Sequence, residues 1–488
     1  MLNLLAFDMG ASNYRCISGQ YDGSTISVKV LCRFQNALLN RNGRLVWNFD
    51  KMYEDVKNSL YRAEFEFGKV DSFGIDSWGG DFGLLGDNGT LLDQPISYRD
   101  KIAYEHFDSF KNKVNFRKIY EITGCSIKKM TTPCMLVGMQ NENYVPFRNA
   151  KRLLFMPDLF VRFFTGEYQS EYTYATTTKL INASTGDWYS GLLDQINLDR
   201  NLLCPVVRPG GFAGKILSKF SDEHTGLRNT QLVTVASHDT ASAVVTIQDD
   251  ENLVFISSGS WSVVGMVINE PILTGEAYEW GYENEGMHNG KIRLLKNITG
   301  LWLLNECMSE WKASDMKIDI SELIYKSSLV SPLKSIIYPN DKYFISSGEM
   351  CKKIREFCRQ TGQDIPATPA EITASIFQGL AMEYRITIAE LQKLTGKKVN
   401  KIVIIGGGVK NSRLSQLTAD STGLPVYTGY SEAAALGNIM TQALAFGEIT
   451  DSDMNDIVAR SFTTQAYLPT ETEVWEDFCE QYRAYRVD

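Results

Sequence analysis

Ser237-His238-Asp239-Thr240-Ala241-Ser242-Ala243-Val244 is the stretch on which the reading of this chain turns. It follows an apolar run of strand character (Leu232, Val233, Val235) and opens an Ala-rich segment of helical character. A carboxylate therefore stands at a strand-to-helix junction. An Asp there reads in two ways: as a helix N-cap, or as a general base kept ionised by the helix N-terminus. A second stretch bears on the choice. Phe255-Ile256-Ser257-Ser258-Gly259-Ser260-Trp261-Ser262 reads as a strand breaking into a Gly/Ser turn. Such turns present backbone N–H groups and hydroxyls to anionic oxygens. An acid together with a phosphate cradle is the minimum needed to move a phosphoryl group onto an alcohol.

Working outward, the N-terminus carries a similar hairpin. Leu4 to Phe7 is a short apolar strand, Asp8-Met9-Gly10-Ala11-Ser12-Asn13 a turn, Tyr14 to Gln20 a returning strand and Ile26 to Leu31 a third. Tyr53 to Phe67 has helical spacing. Val70 to Ile75 is a strand leading into Asp76-Ser77-Trp78-Gly79-Gly80-Asp81, and Met156 to Phe164 is a helix ended by Thr165-Gly166. The polar run Gln248-Asp249-Asp250-Glu251-Asn252 separates two apolar strands and marks a boundary. After it the hairpin theme returns, from Leu253 to Ser257 and from Trp261 to Ile268, which leaves an internal duplication open.

The last third alternates. Thr368-Pro369-Ala370-Glu371 has capping-box spacing and opens a helix with Ile372, Ile376, Leu380, Tyr384, Ile388 and Leu391 on one stripe, stopped at Gly396. Lys401 to Ile405 is a strand, Gly406-Gly407-Gly408 a loop, Asn411 a cap, Pro425 to Thr428 a strand and Glu432 to Phe446 a helix. The class is α/β with some parallel pairing. At 488 residues the chain is too long for one core. It divides on this reading into 1–247, 248–450 and an extension, 451–488, whose Trp475, Phe478, Tyr482 and Tyr485 pack back on the domains.

Composition narrows the function. A net charge of −9 without a Lys/Arg cluster argues against nucleic acid and anionic membrane as partners. Nine cysteines without a CxxC pair read as reduced thiols, not a disulfide framework or zinc site. The N-terminus has no basic region before its apolar residues, so it does not read as a signal peptide, and no apolar run reaches membrane-spanning length. The expected location is the cytoplasm. Thr165-Gly166, Gly214-Lys215-Ile216 and Gly396-Lys397-Lys398 all fail the Walker P-loop pattern. Asp76 and Asp81 stand five apart, on opposite faces of a strand, which argues against a glycosidase pair.

Four segments occur in the order seen in the FGGY family of carbohydrate kinases, and the chain resembles that family over roughly residues 4 to 446. They are Asp8-x-Gly10-Ala11-Ser12-x-x-Arg15; Gly74-Ile75-Asp76-Ser77-Trp78-Gly79; Ser237-His238-Asp239-Thr240 with Ser258-Gly259-Ser260-Trp261; and Gly406-Gly407-Gly408-x-x-Asn411. Further stretches resemble the branch that phosphorylates L-rhamnulose at its 1-hydroxyl. These are Met156-Pro157-Asp158, Glu171-Tyr172-Thr173-x-Ala175-Thr176-Thr177-Thr178 and Leu295-Lys296-Asn297-Ile298-x-Gly300-Leu301-Trp302-Leu303-Leu304.

The resemblance implies two actin/hexokinase-like (ribonuclease H-like) domains with a central cleft, ATP and Mg²⁺ as cofactors, a small-molecule sugar as partner, and a monomer or homodimer. It implies Asp239 as catalytic base, and His238, Thr240, Gly79 and Asn297 as sugar contacts, with Trp78 either there or in the core. Asp8 falls near Mg²⁺ and the ATP phosphates. Gly10, Ala11, Ser12, Asn13 and Arg15 fall around the phosphates, as do Gly259 and Ser260. Gly406, Gly407, Gly408, Asn411 and Asn305 fall near the nucleoside. Asn305 departs from the Gln of that branch. So does 124–133 (Gly124-Cys125-Ser126-Ile127-Lys128-Lys129-Met130-Thr131-Thr132-Pro133), where an apolar Phe-Asn-Thr-containing stretch is expected. L-fuculose, xylulose and ribulose therefore stay open as substrates, and a non-catalytic actin-fold ATPase is the remote alternative.

Overall fold

Strand Leu2–Met9 is buried from Asn3 onward on both faces, the signature of a central strand. In the computed structural model, which describes residues 1–36, 38–247 and 250–486, it pairs antiparallel with Asn13–Tyr21 and parallel with Ser72–Ser77. The full sheet runs, in space, Gly211–Lys215, Gln231–Thr234, Ser72–Ser77, Leu2–Met9, Asn13–Tyr21, Ile26–Gln35. Gln231–Thr234 is parallel to Ser72–Ser77. Three parallel strands thus bring their C-terminal ends to one edge. One face packs Leu5, Phe7, Phe73 and Ile75 on the helices Phe49–Phe67 and Met156–Thr165. On the other face lies helix Ala433–Ala445, where Gly19 meets Ile439 and Gly74 meets Asn438 with no room for a Cβ.

That helix shows why continuous stretches do not describe the units. By contact the first unit is drawn from 1–249, 268–294 and 433–463, and the second from 250–267, 295–432 and 464–488. Gln442 donates from Nε2 to the Leu5 carbonyl (2.9 Å) and accepts from Ser72 Oγ (2.7 Å), which ties a segment from beyond residue 432 to the first sheet. Strand Glu283–Gly286 returns likewise, with the Gly286 N–H on Thr176 Oγ1 (2.9 Å). Two residues of the expected boundary run, Gln248 and Asp249, lie outside the described residues.

The second unit repeats the plan. Leu253–Ser258 is antiparallel to Trp261–Ile268 and parallel to Lys401–Ile405, itself parallel to Val426–Thr428. Ile292–Thr299 lies beyond Trp261–Ile268, and Ala466–Tyr467 beyond Val426–Thr428. The shared plan of hairpin, central strand and parallel strands is the structural content of the sequence echo. Helix Pro369–Thr395 has the anticipated capping box at Thr368 and ends on left-handed Gly396. It is buried on more than one stripe, because helix Glu473–Tyr485 covers it: Tyr482 is fully buried and its hydroxyl reaches Glu383 Oε2 (3.3 Å). Among the described residues no helix is long and apolar enough to cross a membrane. All nine cysteines are free thiols.

Candidate active site

In the first unit, the strand edge gathers three carboxylates. Asp8 ends the central strand, opposite Arg15 across the hairpin, and Arg15 Nη2 donates to Asp8 Oδ2 at 2.8 Å. The tip between them is tight. A Cβ on Gly10 would sit 2.5 Å from the Asn13 carbonyl oxygen, while Asn36 Nδ2 donates to the Gly10 carbonyl at 3.1 Å. Ser12 and Asn13 are exposed at this tip and Ala11 is half-buried, so their backbone is open to a ligand.

Asp76 is the parallel-strand partner of Asp8 and is completely buried. Its Oδ2 accepts from Asn438 Nδ2 (2.7 Å), and its Oδ1 has no hydrogen-bond partner. Burial, then the charge of Asp8, pushes this carboxyl well above the usual range. The neighbouring acid Asp81 does different work. Its Oδ2 accepts from the indoles of Trp47 (2.6 Å) and Trp78 (2.9 Å), whose rings pack 4.3 Å apart, so Trp78 belongs to the core. Burial raises Asp81 to about 7.

Asp239 begins helix Asp239–Val245, and the N-cap position falls on His238. The carboxylate is anchored through one oxygen. Oδ1 accepts from Thr240 N (2.5 Å) and Thr240 Oγ1 (3.1 Å) and lies 3.3 Å from His238 Nε2. Oδ2 receives none of these contacts, and the side chain is 35% exposed. A carboxylate fixed by one oxygen and open at the other is suited to taking a proton. Its backbone is held from below. The Ser77 N–H bonds the Ser237 carbonyl (2.8 Å), Ser237 N bonds Glu171 Oε2 (3.2 Å), and His238 N bonds Thr173 Oγ1 (3.3 Å). Glu171 is itself buried and caps helix Tyr172–Thr177. Burial outweighs its backbone hydrogen bonds and lifts it to about 7.

Gly79 follows strand Ser72–Ser77, and a Cβ there would meet Thr177 Oγ1 at 2.8 Å. Thr132 Oγ1 donates to the adjacent Gly80 carbonyl at 2.7 Å, which fixes this loop from segment 124–133. The unexpected lysine of that segment, Lys128, pairs with Glu283 at 3.3 Å. Behind His238 stands a cluster that sequence reading missed: Glu285, Arg293, Lys179 and Glu283, each at most 8% exposed. Only Arg293, in the largely apolar strand Ile292–Thr299, left a signal in the sequence; Glu283 and Glu285 lie on a polar strand and Lys179 in a turn.

In the second unit, the turn Gly259-Ser260 links its two antiparallel strands. It is locked onto the stretch Gly300-Leu301-Trp302, one of those that carried the resemblance: Gly300 N and Trp302 N donate to the Ser260 carbonyl (3.0 and 3.1 Å), and Leu301 N to that of Gly259 (2.9 Å). Gly406 takes φ +79°, and Gly408 lies against the Ser258 side chain with no room for a Cβ. The Gly259 turn and the 406–408 loop therefore sit together at the ends of two parallel strands. Asn411 is buried and spends its Oδ1 capping helix Ser412–Thr422 (Leu414 N, 3.0 Å). Asn297 and Asn305 are both exposed, on strand Ile292–Thr299 and helix Trp302–Ala313. Among the described residues no three His, Cys, Asp or Glu side chains could by themselves hold a metal ion.

Known proteins are similar to this chain over most of its length. The N-terminal domain of the FGGY family of carbohydrate kinases matches residues 3–246, and its C-terminal domain matches 254–446. A rhamnulokinase of Bacteroides thetaiotaomicron is 34% identical over 97% of both chains, and one of Bacillus subtilis 32% identical over 96% of both. Two solved structures share the fold at low identity. A ligand-bound xylulose kinase of Lactobacillus acidophilus has TM-score 0.84 at 16% identity, covering 100% of this chain and 98% of its own. A glycerol kinase of Plasmodium falciparum with ADP has TM-score 0.82 at 13% identity, covering 99% and 97%. The chain belongs to the FGGY family of carbohydrate kinases, phosphotransferases with an alcohol acceptor whose substrates are ATP and a small-molecule sugar.

Proposed function

We propose that the chain transfers the γ-phosphoryl group of ATP to the 1-hydroxyl of L-rhamnulose, with Asp239 as base. One observation carries this reading: Asp239 is anchored through Oδ1 and open at Oδ2. Oδ2 takes the proton of the sugar hydroxyl as that oxygen bonds to the γ-phosphorus and the bond from phosphorus to the ADP oxygen breaks. The choice of ketose draws on the rhamnulokinases that the chain is similar to. The first unit would bind the sugar, through His238, Thr240 and Gly79, and Asn297 is a further candidate sugar contact. The second unit would bind the nucleotide through Gly259, Ser260, Asn305, Gly406, Gly407, Gly408 and Asn411. The tip Gly10, Ala11, Ser12 and Asn13, with Arg15, would meet the phosphates.

Mg²⁺ fits Asp8 and Asp76. The buried Oδ1 of Asp76 has no hydrogen-bond partner, and Asp76 pairs across the strands with Asp8, so a divalent cation would supply the partner that this oxygen lacks. Mg²⁺ needs only one or two carboxylates when water and phosphate oxygens complete its shell. When bound, it neutralises charge on the phosphates. We place the enzyme in the cytoplasm as a monomer or homodimer.

The test is ADP release with Mg-ATP across a panel of ketoses. Turnover highest on L-rhamnulose is the expected result. Turnover on L-fuculose, xylulose or ribulose instead would keep Asp239 and move the error to segment 124–133. Nucleotide binding without turnover on any sugar would overturn the kinase reading.

A further inference from the structure

Behind the candidate base, His238 is pinned by a fully buried cation. Arg293 has no exposed surface, and its Nη2 sits 3.0 Å from Glu285 Oε2 and 3.2 Å from His238 Nδ1. Glu285 Oε2 also approaches Nδ1, at the longer distance of 3.4 Å. A guanidinium can only donate hydrogen bonds and does not lose its proton. The nitrogen it meets at 3.2 Å must therefore offer a lone pair. A proton on Nδ1 would instead set N–H against N–H. With Nδ1 an acceptor, the imidazole proton is on Nε2, the nitrogen 3.3 Å from Asp239 Oδ1.

We propose that Arg293, itself held by Glu285, is a positioning residue that fixes His238 as the neutral Nε2–H tautomer beside the catalytic base. Three consequences follow. The Nε2–H presents a partial positive charge to the anchored oxygen of Asp239, leaving Oδ2 to face the hydroxyl. A neutral ring places no full positive charge beside the carboxylate that is to take the proton. The one Nε2–H, shared between Asp239 Oδ1 and the substrate, also sets a rule: the sugar atom meeting His238 must present a lone pair, as a ketose carbonyl, a ring oxygen or a hydroxyl oxygen does. This last point rests on the proposed function. The tautomer does not, because it is read without sugar.

Lys179 and Glu283 complete the scaffold. Lys179 Nζ bonds Glu283 and lies 3.9 Å from Glu285 Oε1, so the Glu285 carboxylate is shared between Arg293 and Lys179. Among the described residues, the charged side chains that meet the imidazole are Asp239, Glu285 and Arg293.

The test is long-range ¹H–¹⁵N correlation of the imidazole nitrogens at neutral pH. The chain has only four histidines, so His238→Gln assigns the signal. The expected wild-type pattern is one protonated nitrogen, Nε2. Arg293→Met should abolish that preference and lower kcat about tenfold or more, a part of the roughly 10²–10⁴ that acid–base catalysis supplies in full, with little change in the KM for ATP. Arg293→Lys should restore part of both. Glu285→Gln should keep the Nε2–H pattern, since the amide oxygen still accepts from Arg293. An imidazolium or Nδ1–H pattern in the wild type overturns the proposal without any variant. So does an unaltered His238 signal in folded Arg293→Met.

Discussion

Lys179→Met is the most informative perturbation of the buried scaffold. Lys179 is 8% exposed, with Glu283 and Glu285 at 6% and 7%, so water screens this cluster little. At the 3.9 Å separation from Glu285, two unit charges in an effective dielectric of about 20 attract by about 4 kcal/mol. The contact with Glu283 is closer, but desolvation of all three groups offsets much of the gross attraction. Removing one partner of a buried pair costs about 3–5 kcal/mol, because the other charge is left behind. Lys179 has φ +67°, and Met bears that strain no better or worse, so the substitution isolates the charge.

The pH dependence carries a sign. Burial pushes Glu283 upward, but Lys179 and then Lys128 hold it below the usual carboxylate range. Its stabilising contribution is therefore present above the unfolded carboxyl pKa and lost as pH falls through the folded value. Without Lys179, burial is uncompensated, the folded pKa rises, and protonation relieves the variant as pH falls. Scanning calorimetry from pH 5 to 8, resolved transition by transition because there are two units, should show the midpoint of the first unit about 6–10 °C lower at pH 8, at roughly 2 °C per kcal/mol. The gap should narrow toward pH 5. A gap under about 2 °C, or one independent of pH, would refute the reasoning.

Other expectations follow the same logic. Asp81 has a folded pKa raised to about 7, so its favourable contribution is complete below the unfolded value and lost as pH rises through 7. Asp81→Asn, which keeps an oxygen for both indoles, should flatten the fall in thermal midpoint between pH 5 and 8, measured by circular dichroism. A Cβ on Gly300 would meet the Gly259 carbonyl oxygen at 2.7 Å and Ser262 N at 2.8 Å, so Gly300→Val should displace the phosphate turn. Calorimetric titration with ADP should show nucleotide affinity at least tenfold weaker, with the overall circular dichroism kept. Asp76→Asn should weaken the Mg²⁺-dependent part of ADP binding more than binding without metal, measured by titration with and without Mg²⁺.

Much of this was legible because the signals are local. The capping box at Thr368, the stop at Gly396 and the cap at Asn411 each depend on residues within four positions. What was hidden depends on register and on distant chain. Asp76 gains its meaning from Asp8, 68 positions earlier on the neighbouring strand, and a lone Asp in an apolar strand does not announce that partner. Glu171 supports Ser237 from 66 residues away. Arg293 and Glu285 reach His238 only because 268–294 returns to the first unit. The helix at 433–445 fits Gly74 and Gly19 through Asn438 and Ile439, a complementarity invisible until the two faces meet. Segment 124–133 looked like a change of sugar pocket, yet its Lys128 is committed to Glu283, a residue the chain supplies much later.

The central claim is that Asp239 takes the proton of the sugar hydroxyl. Asp239→Asn preserves both side-chain positions and can still accept from Thr240 N through its amide oxygen, so it removes the base and little else. ADP release with Mg-ATP and L-rhamnulose should fall by about 10²–10⁴ while nucleotide affinity stays near wild type. Turnover within about twofold of wild type, in a folded variant that binds ATP normally, would contradict the account.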